Sequence, residues 1–354
     1  MTADKGPIEG VEGSTLVGLS ERPNLATAAA SLRKAHGEMA LVGDVGGTNA
    51  RFALAPLEGP GRTTELRNWR VADFPTLAAA IAAYLDEASP RTRVRTGMIA
   101  VAGPANSDEV RITNYKWQFS VSQTRRDLGF DQLFVINDFA ANSWGVTELG
   151  PDQLAPLGGP APISARNGVQ AAVGPGTGLG VSGLRISTGG IDVLSSEGGH
   201  VDFAPVSDEE VEILAWLKQH HHRVSYERLL SGAGLLNIYR AIGGSEAIDT
   251  PEAVTAAKDE DPVAAHAIRV FCEVLGSFAG NVALMFGAWD GVYLAGGMLR
   301  PIRDELLASG FRQRFDDKGR FSAELVKVPT MLVEEPALGL IGAGVALRHR
   351  LAAE

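Results

Sequence analysis

The stretch Met39-Ala-Leu-Val-Gly-Asp-Val-Gly-Gly-Thr-Asn-Ala-Arg51 decides the fold, because an apolar run stops at Asp44 and a glycine pair and a second strand follows at once. The same order of strand, glycine turn and strand returns in Gln170-Ala-Ala-Val-Gly-Pro-Gly-Thr-Gly-Leu-Gly-Val-Ser-Gly-Leu184. The parallel predicts an internal duplication, in which two α/β halves each begin with a glycine turn between two strands.

The remaining pattern is that of an α/β protein. We expect strands at residues 66–71, 97–102, 132–137 and 291–295, and an edge strand at 109–113. We expect helices at residues 76–87, 207–219, 226–242 and 262–286, and a final helix at 339–351 that packs back on the N-terminal lobe. The strand at 132–137 leads directly into a further helix.

Composition excludes several classes of protein. A length of 354 residues suggests two domains, and a formal net charge of -10 disfavours a nucleic-acid partner. One cysteine, Cys272, forms neither an internal disulfide nor a cysteine-based zinc site, which fits a reducing compartment. The first forty residues show no secretory signal, and apolar runs such as 78–83 are too short to span a bilayer, so we expect a cytoplasmic protein with no membrane partner.

The two glycine turns suggest a phosphate-bearing ligand. Backbone amides without side chains in the way cradle phosphate oxygens, although ordinary hairpin turns also use glycine for positive φ. Neither turn is a Walker A loop, since the lysine is missing, and neither has the spacing of the dinucleotide fingerprint. Two such turns in corresponding places favour a ligand held between two domains.

Each of the notable carboxylates has two interpretations. Asp138 follows a strand, where it is either a helix N-cap or a general base, and Asp44 either caps its turn or holds a metal ion. Glu227 at a helix start is unremarkable by itself. The stretch Ser195-Ser-Glu-Gly-Gly-His-Val-Asp-Phe203 is compatible with a metal site, an acid/base pair or a clamp for hydroxyl groups.

Six stretches in order resemble the bacterial glucokinase family, and the resemblance spans residue 40 to the C-terminus. These are Asp44-Val-Gly-Gly-Thr-Asn-Ala-Arg, Ile136-Asn-Asp-Phe, Gly176-Thr-Gly-Leu-Gly, Glu197-Gly-Gly-His-Val-Asp-Phe, Glu227-Arg-Leu-Leu-Ser-Gly and Ala295-Gly-Gly. The resemblance implies an α/β fold with two lobes, the actin-like, hexokinase-type ATPase fold (ribonuclease H-like), with a central cleft. It also implies ATP-dependent phosphorylation of D-glucose at the 6-hydroxyl, giving glucose 6-phosphate and ADP.

The resemblance assigns roles to individual positions. Asp138 is expected to be the general base, and Asp44 to hold Mg²⁺, usually through water. The expected glucose contacts are Asn137, Asp138, Glu197, His200 and Glu227. The expected ATP site comprises Gly43, Asp44, Val45, Gly46, Gly47, Thr48, Asn49, Arg51, Gly176, Thr177, Gly178, Gly296 and Gly297. Homodimerisation is expected from the family. With Asp138 as base and a single cysteine, too few for the zinc motif, the clamp becomes the preferred interpretation of Glu197 and His200.

The resemblance also suggests a division of the chain. A small lobe is expected at residues 40–148 plus 339–354, and a large lobe at 149–338. Residues 1–39 form an extension, a mobile or loosely docked arm, for which we have no function. Thr113 and Asn114 line the sugar cleft or serve packing, and the three histidines at 220–222 are more consistent with a solvated loop than with a metal site.

Three alternatives stay open at the level of the sequence. Sibling sugar kinases and repressors of this fold carry a cysteine-rich zinc motif, which a chain with only Cys272 lacks. A related hexose kinase of different sugar preference would share most of the motifs. A non-catalytic sensor of sugar or nucleotide would have no need of the base Asp138.

Overall fold

The computed structural model describes residues 39–59, 63–88, 94–113, 115–162 and 167–354. Its fold is α/β, with two mixed sheets flanked by helices. The expected N-terminal extension lies outside the described residues except for Met39, which is the first residue of a strand. Asn114 also lies outside them.

The strands and helices follow the predicted order closely. The strands are β1 (Met39–Val45), β2 (Asn49–Pro56), β3 (Thr64–Arg70), β4 (Thr96–Val101), β5 (Glu109–Arg111), β6 (Gln118–Ser120), β7 (Gln132–Asn137), β8 (Leu154–Gly158), β9 (Gly168–Pro175), β10 (Leu179–Ser187), β11 (Gly190–Ser196), β12 (Val292–Leu294) and β13 (Thr330–Val333). The helices are α1 (Leu77–Ala88), α2 (Val121–Asp127), α3 (Asp138–Val146), α4 (Asp208–His220), α5 (Gly232–Ala241), α6 (Pro251–Ala256), α7 (Pro262–Phe286), α8 (Arg303–Ala308), α9 (Phe311–Asp316), α10 (Ser322–Leu325) and α11 (Leu338–Ala353).

The two sheets share one topology, as the repeated glycine turns predict. The first sheet has the order β3-β2-β1-β4-β7, and the second has the order β11-β10-β9-β12-β13, with β8 added antiparallel to β13. In each sheet two antiparallel hairpin pairings are followed by parallel pairings to later strands. The glycine turn therefore occupies the same place in both halves, between the first and second strands.

Each sheet has its own hydrophobic core, and helix α11 completes the first one. Strands β1, β2 and β4 bury one face against α1 and the other against α11 through Leu340, Ala343 and Leu347. Helix α11 also packs closely on α3, because Gly145 of α3 lies beneath Leu338 and Gly342 of α11 lies against the Ala141 carbonyl. The prediction that the last helix returns to the N-terminal part is correct.

Two predicted elements differ from the structure. The helix expected at 226–242 is a 3-10 turn, Tyr226–Arg228, followed by α5, because the hydroxyl of Ser231 caps a new helix by accepting from Gly234 N at 3.0 Å. The edge strand expected at 109–113 is the short β5, which pairs only with β6 in a separate hairpin.

One helix is long and apolar enough to pass a length-and-composition test for a membrane span. This helix, α7, has 25 residues, and most of its apolar window is buried inside the protein. Arg269 and Glu273 interrupt the apolar sequence of α7, so its uninterrupted apolar runs remain short, and the buried core helix of a soluble fold passes the same test. In the structure α7 is the central helix of the larger core.

Candidate active site

Asn137 and Asp138 stand at the end of β7, where the strand passes directly into α3. The side-chain oxygen of Asn137 accepts from the amides of Phe139 at 2.9 Å and Ala140 at 3.0 Å, so Asn137 is the N-cap of α3. Its amide nitrogen donates to the Gly103 carbonyl at 3.3 Å. The capping interpretation considered for Asp138 therefore belongs to its neighbour, and Asp138 is the first residue of the helix.

The carboxyl of Asp138 has an unusual acidity. Burial, followed by repulsion from Asp44 and Glu197, raises its pKa from 3.8 to about 7, although the Phe139 amide, which donates to it at 2.9 Å, acts in the opposite direction. A carboxyl poised near neutrality suits proton transfer at physiological pH. The same coupling brings Asp44, Asp138 and Glu197 into one electrostatic neighbourhood.

The first glycine turn joins β1 to β2 and presents Asp44 and Arg51 side by side. They are cross-strand partners with 3.7 Å between Arg51 Nη1 and Asp44 Oδ2, and the same nitrogen donates to the Pro336 carbonyl at 2.9 Å. Burial raises the pKa of Asp44, and Arg51 opposes that shift. At the start of α11, Gly339 lies so close that a Cβ atom there would be 3.0 Å from Asp44 Cγ.

The residues expected to bind ATP in this turn fall into two groups. Gly46, Gly47, Thr48 and Asn49 lie at the accessible tip of the hairpin, where Gly46 N donates to Asn49 O at 2.9 Å. Gly43 and Val45 lie inside β1, and Val45 is fully buried. A Cβ atom on Gly43 would be 2.8 Å from Ile99 Cδ1, so packing explains that glycine.

The second glycine turn joins β9 to β10 and contacts both Glu227 and α5. Glu227 Oε2 accepts from Leu179 N at 3.0 Å, and a Cβ atom on Gly178 would be 2.6 Å from that oxygen. Gly176 O accepts from Gly232 N at 2.9 Å at the start of α5. Among the described residues, the positive-φ glycines do not include Gly46, Gly176 or Gly178, so the hairpin explanation from backbone conformation does not account for these turns.

The predicted sugar clamp is assembled beside the second turn. His200 lies between two carboxylates, with Nε2 4.0 Å from Glu197 Oε2 and Nδ1 3.8 Å from Glu227 Oε1. Glu197 and His200 are accessible, with 70% and 56% of their side chains exposed, whereas Glu227 is 27% exposed. A side chain on Gly199 would overlap the Leu179 carbonyl, so this glycine allows the clamp to approach the turn.

The third glycine pair, Gly296 and Gly297, also meets the second turn. A side chain on Gly296 would overlap the Pro175 carbonyl, whereas a Cβ atom on Gly297 would have open space around it. Gly296 is thus required by packing, and Gly297 is free to face a ligand. The predicted ATP residues of the second half, with Thr177 at the exposed tip of its turn, are therefore adjacent in the fold.

Other predicted positions have local explanations. Thr113 packs near Gly103, and its amide donates to the Ala102 carbonyl at 2.8 Å. His220 ends α4, where its ring stacks on Trp216 with 4.1 Å between the centroids. Within the described residues, no group of three or more His, Cys, Asp or Glu side chains has the arrangement of a metal cage.

The sequence interpretation did not assign a role to Phe139, Gly174, Gly180 or Gly339. Their signal in the sequence is their position: Phe139 directly follows the expected base, and the two glycines flank the expected phosphate turn. Only the three-dimensional structure shows that Phe139 and these two glycines touch.

The comparisons with known proteins point to one family. A family model described as Glucokinase matches residues 41–350. The chain belongs to the glucokinase family. A glucokinase of Stenotrophomonas maltophilia (strain K279a) is 45% identical over 319 residues, which cover 87% of this chain and 95% of that protein. The predictions of the family, of an enzyme and of glucose phosphorylation are confirmed.

Solved structures of glucokinases have the same fold. The crystal structure of a glucokinase from an Antarctic psychrotroph superimposes with a TM-score of 0.79 and 35% identity over 88% of this chain and 99% of that chain. A ROK family glucokinase from Streptomyces griseus, solved in complex with glucose and AMPPNP, has a TM-score of 0.59 and 19% identity over 86% of this chain and 98% of that chain. At that identity the second likeness shows the fold alone. The α/β fold class is confirmed.

Proposed function

We propose that the chain transfers the γ-phosphoryl group of ATP to the 6-hydroxyl of D-glucose in a central cleft, with Asp138 as general base. The cleft lies between a small lobe, residues 40–148 plus 339–354, and a large lobe, residues 149–338, in an actin-like, ribonuclease H-like arrangement. One observation carries the proposal: directly after strand β7, a buried carboxyl whose pKa is raised to about 7 lies near the charges of Asp44 and Glu197.

In the proposed reaction the Asp138 carboxylate accepts the proton of the sugar 6-hydroxyl as its oxygen bonds to the γ-phosphorus. The bond from that phosphorus to the bridging oxygen breaks, and ADP leaves. The two glycine turns hold the phosphate groups, which supports in-line transfer through positioning rather than covalent chemistry. Closure of the two lobes excludes water, which would otherwise compete as the phosphoryl acceptor.

The sugar is held by the clamp, with Asn137 and Asp138 on the opposite side. His200 lies within 4.0 Å of both Glu197 and Glu227, which supports recognition of adjacent hydroxyl groups. The amide nitrogen of Asn137 uses one of its hydrogens for Gly103 O, which leaves the other for a sugar hydroxyl. The tolerance for other hexoses depends on these hydrogen bonds.

Asp44 fits the requirements of a hydrated Mg²⁺ ion. It offers a single carboxylate beside the first turn, in a neighbourhood where its own charge and that of Asp138 repel each other. Mg²⁺ retains several waters and takes few protein ligands in phosphate sites, so one carboxylate suffices together with ATP oxygens. When bound, the ion would neutralise developing charge on the phosphates.

The test of the base is the substitution Asp138→Asn. We expect kcat to fall by at least about 100-fold, the lower end of general-base contributions, while calorimetry shows glucose still binding. Asp192→Asn, at an exposed carboxylate on β11 paired with Arg185, is the matched control and retains full turnover. Near-normal turnover of Asp138→Asn overturns the assignment.

We also propose that the enzyme works as a cytoplasmic homodimer with glucose and ATP as its ligands, and with no nucleic-acid or membrane partner. The net charge of -10 supports the exclusion of a phosphate backbone. Light scattering on the purified chain tests the oligomeric state, and a monomer at micromolar concentration contradicts the dimer.

A further inference from the structure

The ring of Phe139 fits into a slot made by two facing glycines of the second half. Gly174 of β9 and Gly180 of β10 are cross-strand partners. A Cβ atom on Gly174 would be 2.6 Å from Phe139 Cζ, and a side chain on Gly180 would overlap the same ring. The ring therefore lies where both strands lack a side chain. A larger residue at Gly180 would displace it, whereas one at Gly174 would first overlap the Ala295 carbonyl.

Hydrogen bonds hold the backbone of Phe139 at the same place. The hydroxyl of Ser182 in β10 donates to the Phe139 carbonyl at 2.9 Å. The hydroxyls of Ser182 and Ser143 are 2.6 Å apart, and both residues are fully or almost fully buried. The first turn of α3 is thus fixed to β10 by its ring and by its carbonyl.

The contact between Phe139 and these glycines links the proposed base to the second glycine turn, because each of the two is next to the contact along the chain. Asp138 immediately precedes Phe139, and the phosphate turn with Gly176 and Gly178 lies between Gly174 and Gly180. A glycine inside a strand costs stability and is retained where another group approaches closely. Here two opposite glycines lie against one ring. The stability lost through these glycines therefore allows the contact that links the proposed base to the second turn.

We propose that Phe139 is a positioning residue, whose ring in the Gly174–Gly180 slot sets the separation between the Asp138 carboxylate and the second phosphate turn. The proposal rests on the proposed function, because it takes Asp138 as the base and the turn as a phosphate cradle. In-line transfer depends steeply on that separation, since a displacement of about 1 Å costs a large factor in rate.

The experiment compares two phenylalanines that pack on glycines of the same strand. Phe286 of α7 lies over Gly183 of β10, where a Cβ atom would be 2.8 Å from Phe286 Cδ1, and both rings are partly buried. We expect Phe139→Leu to lower kcat at least about tenfold while both KM values change less than about threefold. We expect Phe286→Leu to retain kcat within about twofold of the parent, although its melting temperature falls by about as much as that of Phe139→Leu.

A pair of reciprocal variants tests the slot itself. Gly180→Ala fills the slot and displaces the ring, so we expect a loss of kcat comparable to that of Phe139→Leu. In the double variant Phe139→Ala with Gly180→Ala the ring atoms that would overlap the new methyl group are absent. The combined loss of kcat is therefore smaller than the product of the losses in Phe139→Ala and Gly180→Ala alone. Strict additivity of the two losses counts against a shared slot.

Asp138→Asn, assayed in parallel, separates the two levels of the proposal. If Asp138→Asn loses turnover and Phe139→Leu does not, the positioning role is wrong and the base assignment stands. If Asp138→Asn retains turnover, the base assignment in the proposed function fails, and with it the separation that Phe139 is proposed to set. If Phe286→Leu loses as much kcat as Phe139→Leu at an equal fall in melting temperature, the loss reflects general packing. Phe139 then has no positioning role.

Discussion

Asn137 and Asp138 are neighbours, but Asn137 caps helix α3 and Asp138 is the proposed base. The difference comes from the backbone, which is extended at Asn137 and helical at Asp138. Asn137 is extended, with φ -65° and ψ 145°, so its side chain turns over the first amides of α3. Asp138 is already helical and does not have to satisfy those amides alone. Its carboxyl is consequently left in a buried place beside Asp44 and Glu197, where burial first and then these two charges raise its pKa to about 7.

The raised pKa of Asp138 predicts an acid limb in the pH profile. The base must be ionised, so kcat at saturating substrates rises with pH through the pKa near 7. Glu197→Gln removes one of the negative charges that raise this pKa, and the limb therefore moves to lower pH. A limb that stays in place or moves upward in Glu197→Gln contradicts the electrostatic coupling.

Glu227 lies between the two proposed substrate sites, because one of its oxygens accepts from Leu179, just after the second glycine turn, and the other lies near His200. We expect Glu227→Ala to raise the KM for glucose and also to raise the KM for ATP by about tenfold, the size of one charge-assisted hydrogen bond. His200→Ala, the comparison variant, raises the KM for glucose only. An unchanged KM for ATP in Glu227→Ala would show that the bond to Leu179 does not order the turn.

At the scale of elements, helices α3 and α11 approach closely because each carries a glycine at the contact. Gly342 of α11 lies against the Ala141 carbonyl, and Gly145 of α3 would place a Cβ atom 2.6 Å from the Leu338 carbonyl. Helix α3 begins at the proposed base, so its packing on α11 helps to fix the position of the base. The packing of two helices thereby contributes to the geometry of the site.

This close approach predicts opposite effects for two glycines of one helix. Gly342→Ala forces α3 and α11 apart, and we expect the free energy of unfolding to fall by about 1–3 kcal/mol. Gly344→Ala meets only ordinary contacts, the nearest being Ala55 Cβ at 3.4 Å, and it is neutral or gains about 0.5–1 kcal/mol from helix propensity. Urea unfolding of both variants measures the difference, and equal stabilities would contradict the tight contact at Gly342.

Local sequence patterns predicted most elements but not how they touch. The two glycine turns follow from apolar runs that stop at Asp44 and at Gly174, because strand and turn signals are local. The break before α5 was missed, although Ser231 is a residue suited to an N-cap, because the apolar pattern runs across it. The docking of Phe139 on Gly180 joins residues 41 positions apart, and no local pattern contains that contact.

On the scale of the whole molecule, two sheets of equal strand order bring their glycine turns to one site. The first supplies Asp44 and the second supplies the turn that contacts Glu227. Asp138 stands between them, at the start of the helix that packs on both halves. The repeated topology thus provides two glycine turns in corresponding places, one on each side of the proposed base.

The residues before β1 are dispensable in this scheme. The family model begins at residue 41, and every residue assigned to the site lies at 43 or beyond. We expect a variant that lacks residues 1–38 to retain kcat and both KM values within about twofold of the full chain. A coupled assay for ADP with glucose measures this, and a clear loss of turnover would assign a role to the extension.

The return of α11 to the first sheet has a consequence for synthesis of the chain. Strands β1, β2 and β4 are made early, yet one of their apolar faces is covered largely by Leu340, Ala343, Ala346 and Leu347, near the end of the chain, with Trp144 of α3 beside them. On the ribosome this face stays open to solvent or chaperones until translation is almost complete. Any product that stops before residue 338 exposes the hydrophobic side of a finished sheet and becomes a target for aggregation or proteolysis.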